Sequence, residues 1–109
     1  MIGPGVRILV STEPVDMRYG FDRLAATAKS RVGEDPQGGG VLVVFANRGA
    51  NRVKCLWFDR NGYCLLYTRL HRAIFELPLP NDASKSVRID AVALGKLLRG
   101  VDRPSRTRA

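Results

Sequence analysis

The sequence predicts one α+β domain: a mainly antiparallel sheet of four or five strands with two helices on one face, in the order β-α-β-β-β-(β)-α. Three observations carry this. Val41–Phe45 is continuously apolar and mostly β-branched, which suits a strand buried on both faces. Two strand-like runs, Arg52–Asp59 and Tyr63–Leu70, flank Asn61-Gly62, a strong hairpin signal. Two further stretches repeat apolar residues at helical spacing. A length of 109 residues fits a single domain with one modest core, and 45% hydrophobic content excludes a disordered chain.

The elements follow in order. Val6–Ser11 reads as the first strand, led in by Gly3-Pro4-Gly5 and broken by Thr12-Glu13-Pro14. Asp16 is placed to cap the first helix, whose Met17, Phe21, Leu24, Ala28 and Val32 would face the core. Gly20 inside that helix would cost about 1 kcal/mol relative to Ala. Gly33–Gly40 is a connection; its triple glycine lacks the Gly-Lys-Ser/Thr of a phosphate-binding loop, and a strand follows it. After the hairpin, Leu77-Pro78-Leu79-Pro80-Asn81 disfavours further sheet. Val87-Arg88-Ile89 reads as a short edge strand. Asp90 caps a second helix with Val92, Leu94, Leu97, Leu98 and Val101 on its apolar side and Gly100 as its stop. The domain is expected over residues 1–102, with a basic flexible tail at 103–109.

Eighteen Lys and Arg against ten Asp and Glu give a formal net charge of +8, which makes a polyanion, nucleic acid first, the leading partner class. Only Lys29, Lys54, Lys85 and Lys96 are lysines; the rest are Arg, which binds phosphate as a planar fork and stacks on bases. The excess is concentrated. Between Ala46 and Phe75 lie Arg48, Arg52, Lys54, Arg60, Arg69 and Arg72, opposed only by Asp59, so the segment nets 6 − 1 = +5.

Four aromatics, Trp57, Phe58, Tyr63 and Tyr67, are interleaved with these cations. Strand alternation puts Arg52, Lys54, Leu56 and Phe58 on one side, and Tyr63, Leu65, Tyr67 and Arg69 on one side of the return strand. A two-residue Asn61-Gly62 turn would pair Arg60 with Tyr63, Phe58 with Leu65, Leu56 with Tyr67 and Lys54 with Arg69. One face would then carry Arg52, Lys54, Tyr67, Arg69 and His71. A three-residue bulged turn would shift the register by one and break this face up. Such a basic ribbon could enter a DNA major groove or stack unpaired bases. Trp57 is expected in the core. The candidate nucleic-acid contacts are Arg48, Arg52, Lys54, Tyr67, Arg69 and Arg72.

The residues that metal-dependent phosphoryl transfer or nucleophilic hydrolysis would require do not assemble in the sequence. The acids are few and scattered, His71 is the sole histidine, and no serine has an evident base partner. Cys55 and Cys64 follow no zinc spacing and read as reduced, buried thiols. No catalytic residue, metal or cofactor is expected. The N-terminus lacks the long apolar core of a signal peptide, and no run approaches the roughly 20 apolar residues of a membrane span, so the chain reads as cytoplasmic.

Several segments together carry a family resemblance: Asp16-Met17-Arg18 with Gly20-Phe21-Asp22 and Leu24-Ala25, Val43-Val44-Phe45, Asn47-Arg48-Gly49, and Arg52–Asp59. Gly62-Tyr63-Cys64-Leu65, Tyr67, Arg69-Leu70, Phe75, Leu97-Leu98, Gly100 and Asp102 complete it. In order and spacing these resemble the TnpB accessory proteins, products of the second reading frame in insertion sequences of the sixty-six family. The resemblance implies an auxiliary, non-catalytic role in DNA transposition beside a separate transposase, with DNA, the element transposase and a co-encoded accessory protein as partners and no membrane. It carries no catalytic or metal residues. The chain departs from that pattern at Tyr19, at His71–Ile74, at Leu77 and at Arg103-Pro104. Two alternatives to DNA contact follow from the residues: an adaptor that recruits the transposase through an apolar patch around Phe58, Leu65 and Phe75, or an RNA-binding regulator.

Overall fold

The apolar run at the middle of the chain becomes β2 (Val41–Ala46), every residue of which is buried. A strand buried on both faces must lie between neighbours in a sheet and between layers above and below it. The structure, a computed structural model, describes residues 5–102; the tail expected at 103–109 lies outside them. The remaining elements are β1 (Arg7–Ser11), α1 (Phe21–Thr27), β3 (Arg52–Asp59), β4 (Gly62–Arg69), β5 (Ala73–Ile74), β6 (Ser86–Ile89), α2 (Ala91–Arg99) and β7 (Val101–Asp102).

Five strands form one sheet in the order β4-β3-β2-β1-β6, and β5 and β7 pair in a small second sheet. β1 and β2 are parallel, joined through α1, while β2–β3, β3–β4 and β1–β6 are antiparallel. The fold is thus α+β with a mainly antiparallel sheet, and β6 is the edge strand expected at Val87–Ile89.

The two helices do not share a face. Leu24, Ala25 and Ala28 of the first helical segment pack with Leu9, Val41, Val43, Phe45 and Leu56. Leu97 of α2 packs with Ile8, Val10, Leu42, Val44, Val53, Cys55 and Phe75 on the other side. This corrects the expected one-sided arrangement. The physical reason is legible in β1 and β2: consecutive residues are buried from Ile8 to Ser11 and throughout Val41–Ala46, and successive side chains point to opposite faces. Both faces therefore need a cover, and one helix goes to each.

Asp16 does not cap α1, another correction. The helix starts at Phe21, with Gly20 as its first flanking residue and no side-chain cap. Gly20 thus sits at the helix entrance and not inside it. The helical path continues from α1 as a wider π turn, Ala28–Val32, and stops at Gly33 in the left-handed region at φ 80°. Arg7 then grips Glu34 through two hydrogen bonds of 2.8 and 2.9 Å, fastening the start of β1 to the end of this segment. α2 begins as the sequence predicts: Asp90 accepts from the Ala93 N–H at 2.7 Å.

The hairpin register differs by two residues from the Asn61-Gly62 expectation. Asp59 pairs with Gly62, Phe58 with Tyr63, Leu56 with Leu65, Lys54 with Tyr67 and Arg52 with Arg69. The turn residues are Arg60 and Asn61, and Arg60 takes a left-handed φ of 56°. The register that forms sets apolar against apolar at Leu56–Leu65. It also lets Phe58 meet Tyr63 edge-to-face at 5.1 Å, a contact worth about 0.5–1.5 kcal/mol beyond burial. Cross-strand pairing outweighs the turn preference here. Because side chains alternate with period two, a slip of two leaves the same residues on the same face. Trp57 is half-buried against the α2-side core, with its Nε1 buried and unpartnered.

Candidate nucleic-acid interface

The site is built on the turn between β2 and β3. Asn47 is its organiser. Its Oδ1 accepts from the backbone N–H of Asn51 at 3.1 Å and of Arg52 at 3.0 Å, and its Nδ2 donates to Asn51 Oδ1 at 2.7 Å. A side-chain amide that satisfies the turn's backbone in this way fixes the turn's shape. Arg48 is held outward at its tip, and Arg52 begins β3.

A second turn, residues 16–20, faces the first. The Asp16 carboxylate accepts from the Arg18 N–H at 2.8 Å and closes the turn. It also binds the Arg18 guanidinium, with contacts of 3.1, 3.1 and 2.7 Å. The Arg18 side chain and its backbone N–H together hold the Asp16 carboxyl well below its ordinary range, at about 2, with the nearby Arg23 charge adding to the effect. Asp16 therefore organises a turn and holds Arg18.

Lys54 ties this turn to the sheet. Its Nζ donates to the carbonyl oxygens of Met17 at 2.7 Å and Tyr19 at 2.8 Å. The residue is only 7% exposed. Lys54 is among the candidate phosphate contacts of the sequence; in the structure its ammonium is engaged by the protein's own carbonyls, so a role in positioning the turn is the one its geometry supports. An isolated buried ammonium is costly, which is why it takes these partners. It also lies 4.8 Å from the centre of the Tyr67 ring.

Two adjoining concavities result. The larger, about 530 Å³, is lined by Asp16, Arg18, Asn47, Arg48, Arg52 and Tyr67 among others. The smaller, about 390 Å³, is lined by Asp16, Arg18, Tyr19, Gly20 and Arg23. Arg69 lies opposite Arg52 on the same face of the sheet. Of the six candidate residues, the structure gathers Arg48, Arg52 and Tyr67 at one concavity, with Arg69 beside them. Arg72 does not join them: it lies past β4 in a turn, at a left-handed φ of 63°, and lines neither concavity.

Among the described residues, Arg48, Arg52, Arg69 and Arg72 make no ion pair with a carboxylate. Opposed cations at Arg52 and Arg69 repel, a cost that a bound anion would offset. Sequence reasoning missed Arg23, which stacks over Tyr19 with 4.6 Å to the ring centroid. Its only signal in the sequence is a helical position near Tyr19, where the periodicity predicts continuous helix.

The adaptor patch expected around Phe58, Leu65 and Phe75 does not form. Phe75 is 2% exposed and belongs to the α2-side core. Phe58 and Leu65 lie on the opposite face of the sheet, half-buried, with Leu65 packed against the α1-side core.

Comparison with known proteins gives these residues a context. The model of the family described as IS66 Orf2 like protein matches residues 6–108. Over 104 residues the chain is 35% identical to the uncharacterized protein y4jC of Sinorhizobium fredii, covering 94% of this chain and 86% of that protein. Over 100 residues it is 34% identical to the uncharacterized protein y4hO of the same organism, covering 92% and 84% respectively. No solved structure matches. The chain belongs to the IS66 Orf2-like family of insertion-sequence transposition accessory proteins.

Proposed function

We propose that this accessory protein is non-catalytic and contacts element DNA, or the transposase–DNA complex, through the face that carries Arg48, Arg52, Tyr67 and Arg69. The observation that carries the reading is the set of guanidinium groups on that face with no carboxylate partner among the described residues. Arg is suited to this, since its fork matches phosphate oxygens.

The acids support the non-catalytic half. Asp16 is bound to Arg18, Glu34 to Arg7 and Glu13 to Lys85. Asp35 and Asp90 cap helical turns, and Asp82 accepts from Ser84. Among the described residues, no three His, Cys, Asp or Glu side chains converge as a metal site would require.

The test is retention on element-end DNA by the full chain and by an Arg52→Glu, Arg69→Glu variant with unchanged thermal unfolding. The reading expects the variant to lose binding. Equal retention would remove it.

A second reading, an adaptor for the transposase, has one observation in its favour. An apolar groove of about 320 Å³ runs between Leu77, Pro78, Ile89, Ala93, Leu97 and Val101. Co-purification with transposase that survives nuclease and high salt would favour it over DNA contact.

A further inference from the structure

We propose that the groove takes single-stranded nucleic acid in preference to duplex, and that Tyr19 with Arg23 forms a second nucleotide subsite beside the one at Tyr67. This rests on the nucleic-acid reading above and names its substrate class.

The two concavities adjoin, sharing Asp16 and Arg18. Each repeats one arrangement: a tyrosine ring with a cation against it. Lys54 lies over Tyr67 and Arg23 over Tyr19. Each also holds a further guanidinium, from Arg48 and Arg52 in the larger and from Arg18 in the smaller. A ring and a guanidinium, repeated, match what successive nucleotides of a single strand present: a π face and a phosphate. Tyr67 remains 47% exposed despite its cation contact, so ring surface is left for a base. Tyr19 is half-buried against the α1-side core with Arg23 over its ring, so a base there would stack on the outer plane of the Arg23 guanidinium. The Asp16–Arg18 pair stands where the two compartments meet. Arg18 is 91% exposed, so its guanidinium can meet a phosphate running between them.

A duplex would use this groove poorly. Its bases are stacked on each other, and their faces are closed to a tyrosine. A β-ribbon reads the major groove only if it can enter it. Here β3 is an interior strand between β2 and β4, and Val53, Lys54, Cys55 and Leu56 are buried. The body of the hairpin cannot leave the domain to fill a groove. What it offers instead is a one-sided shelf with rings and cations, the form of a single-strand platform.

The experiment is a fluorescence-anisotropy titration of the full chain with labelled oligo(dT), oligo(rU) and a mixed-sequence duplex of the same length. Single strands are expected to bind about ten-fold tighter than duplex. Tyr67→Leu and Tyr19→Leu keep apolar volume and remove the stacking ring. Each is expected to weaken single-strand binding about ten-fold and duplex binding little, with Tyr67→Phe restoring it. Arg23→Gln, at an exposed position, tests the second subsite without touching the core and is expected to weaken single-strand binding about three-fold. Tighter binding of dT or of rU identifies the strand as DNA or RNA, and either supports the proposal. Equal binding of duplex and single strand, or tyrosine and Arg23 variants that bind like the parent, would overturn it and leave nucleic-acid contact standing. Failure to bind any of the three would remove both.

Discussion

Lys54 Nζ sits 4.8 Å from the Tyr67 ring centre while donating to the carbonyls of Met17 and Tyr19, so one side chain supports both walls of the basic groove. The ring gains an electrostatic partner, and the turn at residues 16–20 gains its only side-chain anchor to β3 among the hydrogen bonds of the described residues. In the proposed reading Lys54 positions the groove, and Arg52 and Arg69 are the residues that would meet phosphate.

Lys54→Met should therefore cost stability. Two carbonyls would lose a charged donor, for about 2–4 kcal/mol. Urea unfolding should show the lowered midpoint, and binding should weaken without a change in its salt dependence, because no phosphate contact is removed. A variant as stable as the parent would show that the ammonium is not needed by the turn.

Gly100→Ala should destabilise the end of α2. Gly100 has a φ of 72°, and a Cβ there would lie 2.5 Å from Leu70 Cδ1 and 2.9 Å from the Ile74 carbonyl oxygen. Left-handed strain and overpacking together should cost about 2 kcal/mol. Thermal unfolding is expected to fall by roughly 10 °C for a domain of this size. An unchanged melting temperature would mean that α2 docks on β5 more loosely than the structure has it.

The two thiols should differ in reactivity. Cys55 is buried in the α2-side core, and that burial pushes its thiol up to about 12, so it carries almost no thiolate at neutral pH. Cys64 lies on the edge strand β4 and is partly exposed. Thiol reagent at pH 8 should modify Cys64 in the folded protein and Cys55 only after denaturant is added. Modification of Cys55 in the folded state would contradict the packing of β3.

The sheet's content was readable because its signals are local. The run Val41–Phe45, the hairpin's two strands and the Asp90 cap each declare themselves within a few residues. What the sequence hid is relational. Which face each helix covers depends on both faces of β1 and β2 being apolar, and a short strand shows that only through its neighbours. The hairpin register turned on Phe58 meeting Tyr63 and Leu56 meeting Leu65, across strands, over the preference of Asn61-Gly62. Asp16 looked like a cap because Asp before a periodic segment usually is one, but Gly20 starts the helix and the carboxylate serves Arg18. Lys54 was indistinguishable in sequence from Arg52, two residues away. Only the fold shows that one cation is buried on carbonyls and the other stays half-exposed with no carboxylate partner among the described residues. Arg23 joined the site because the turn at 16–20 folds back over the sheet, which no spacing rule indicates.

The central claim, that a set of unpaired guanidinium groups meets nucleic-acid phosphate, is tested most directly by the salt dependence of binding. The logarithm of the binding constant should fall linearly with the logarithm of salt concentration, and Arg48→Ala, Arg52→Ala and Arg69→Ala should each reduce that slope by about 0.7 to 0.9. Slopes that stay at the parent's value in all three folded variants would contradict it.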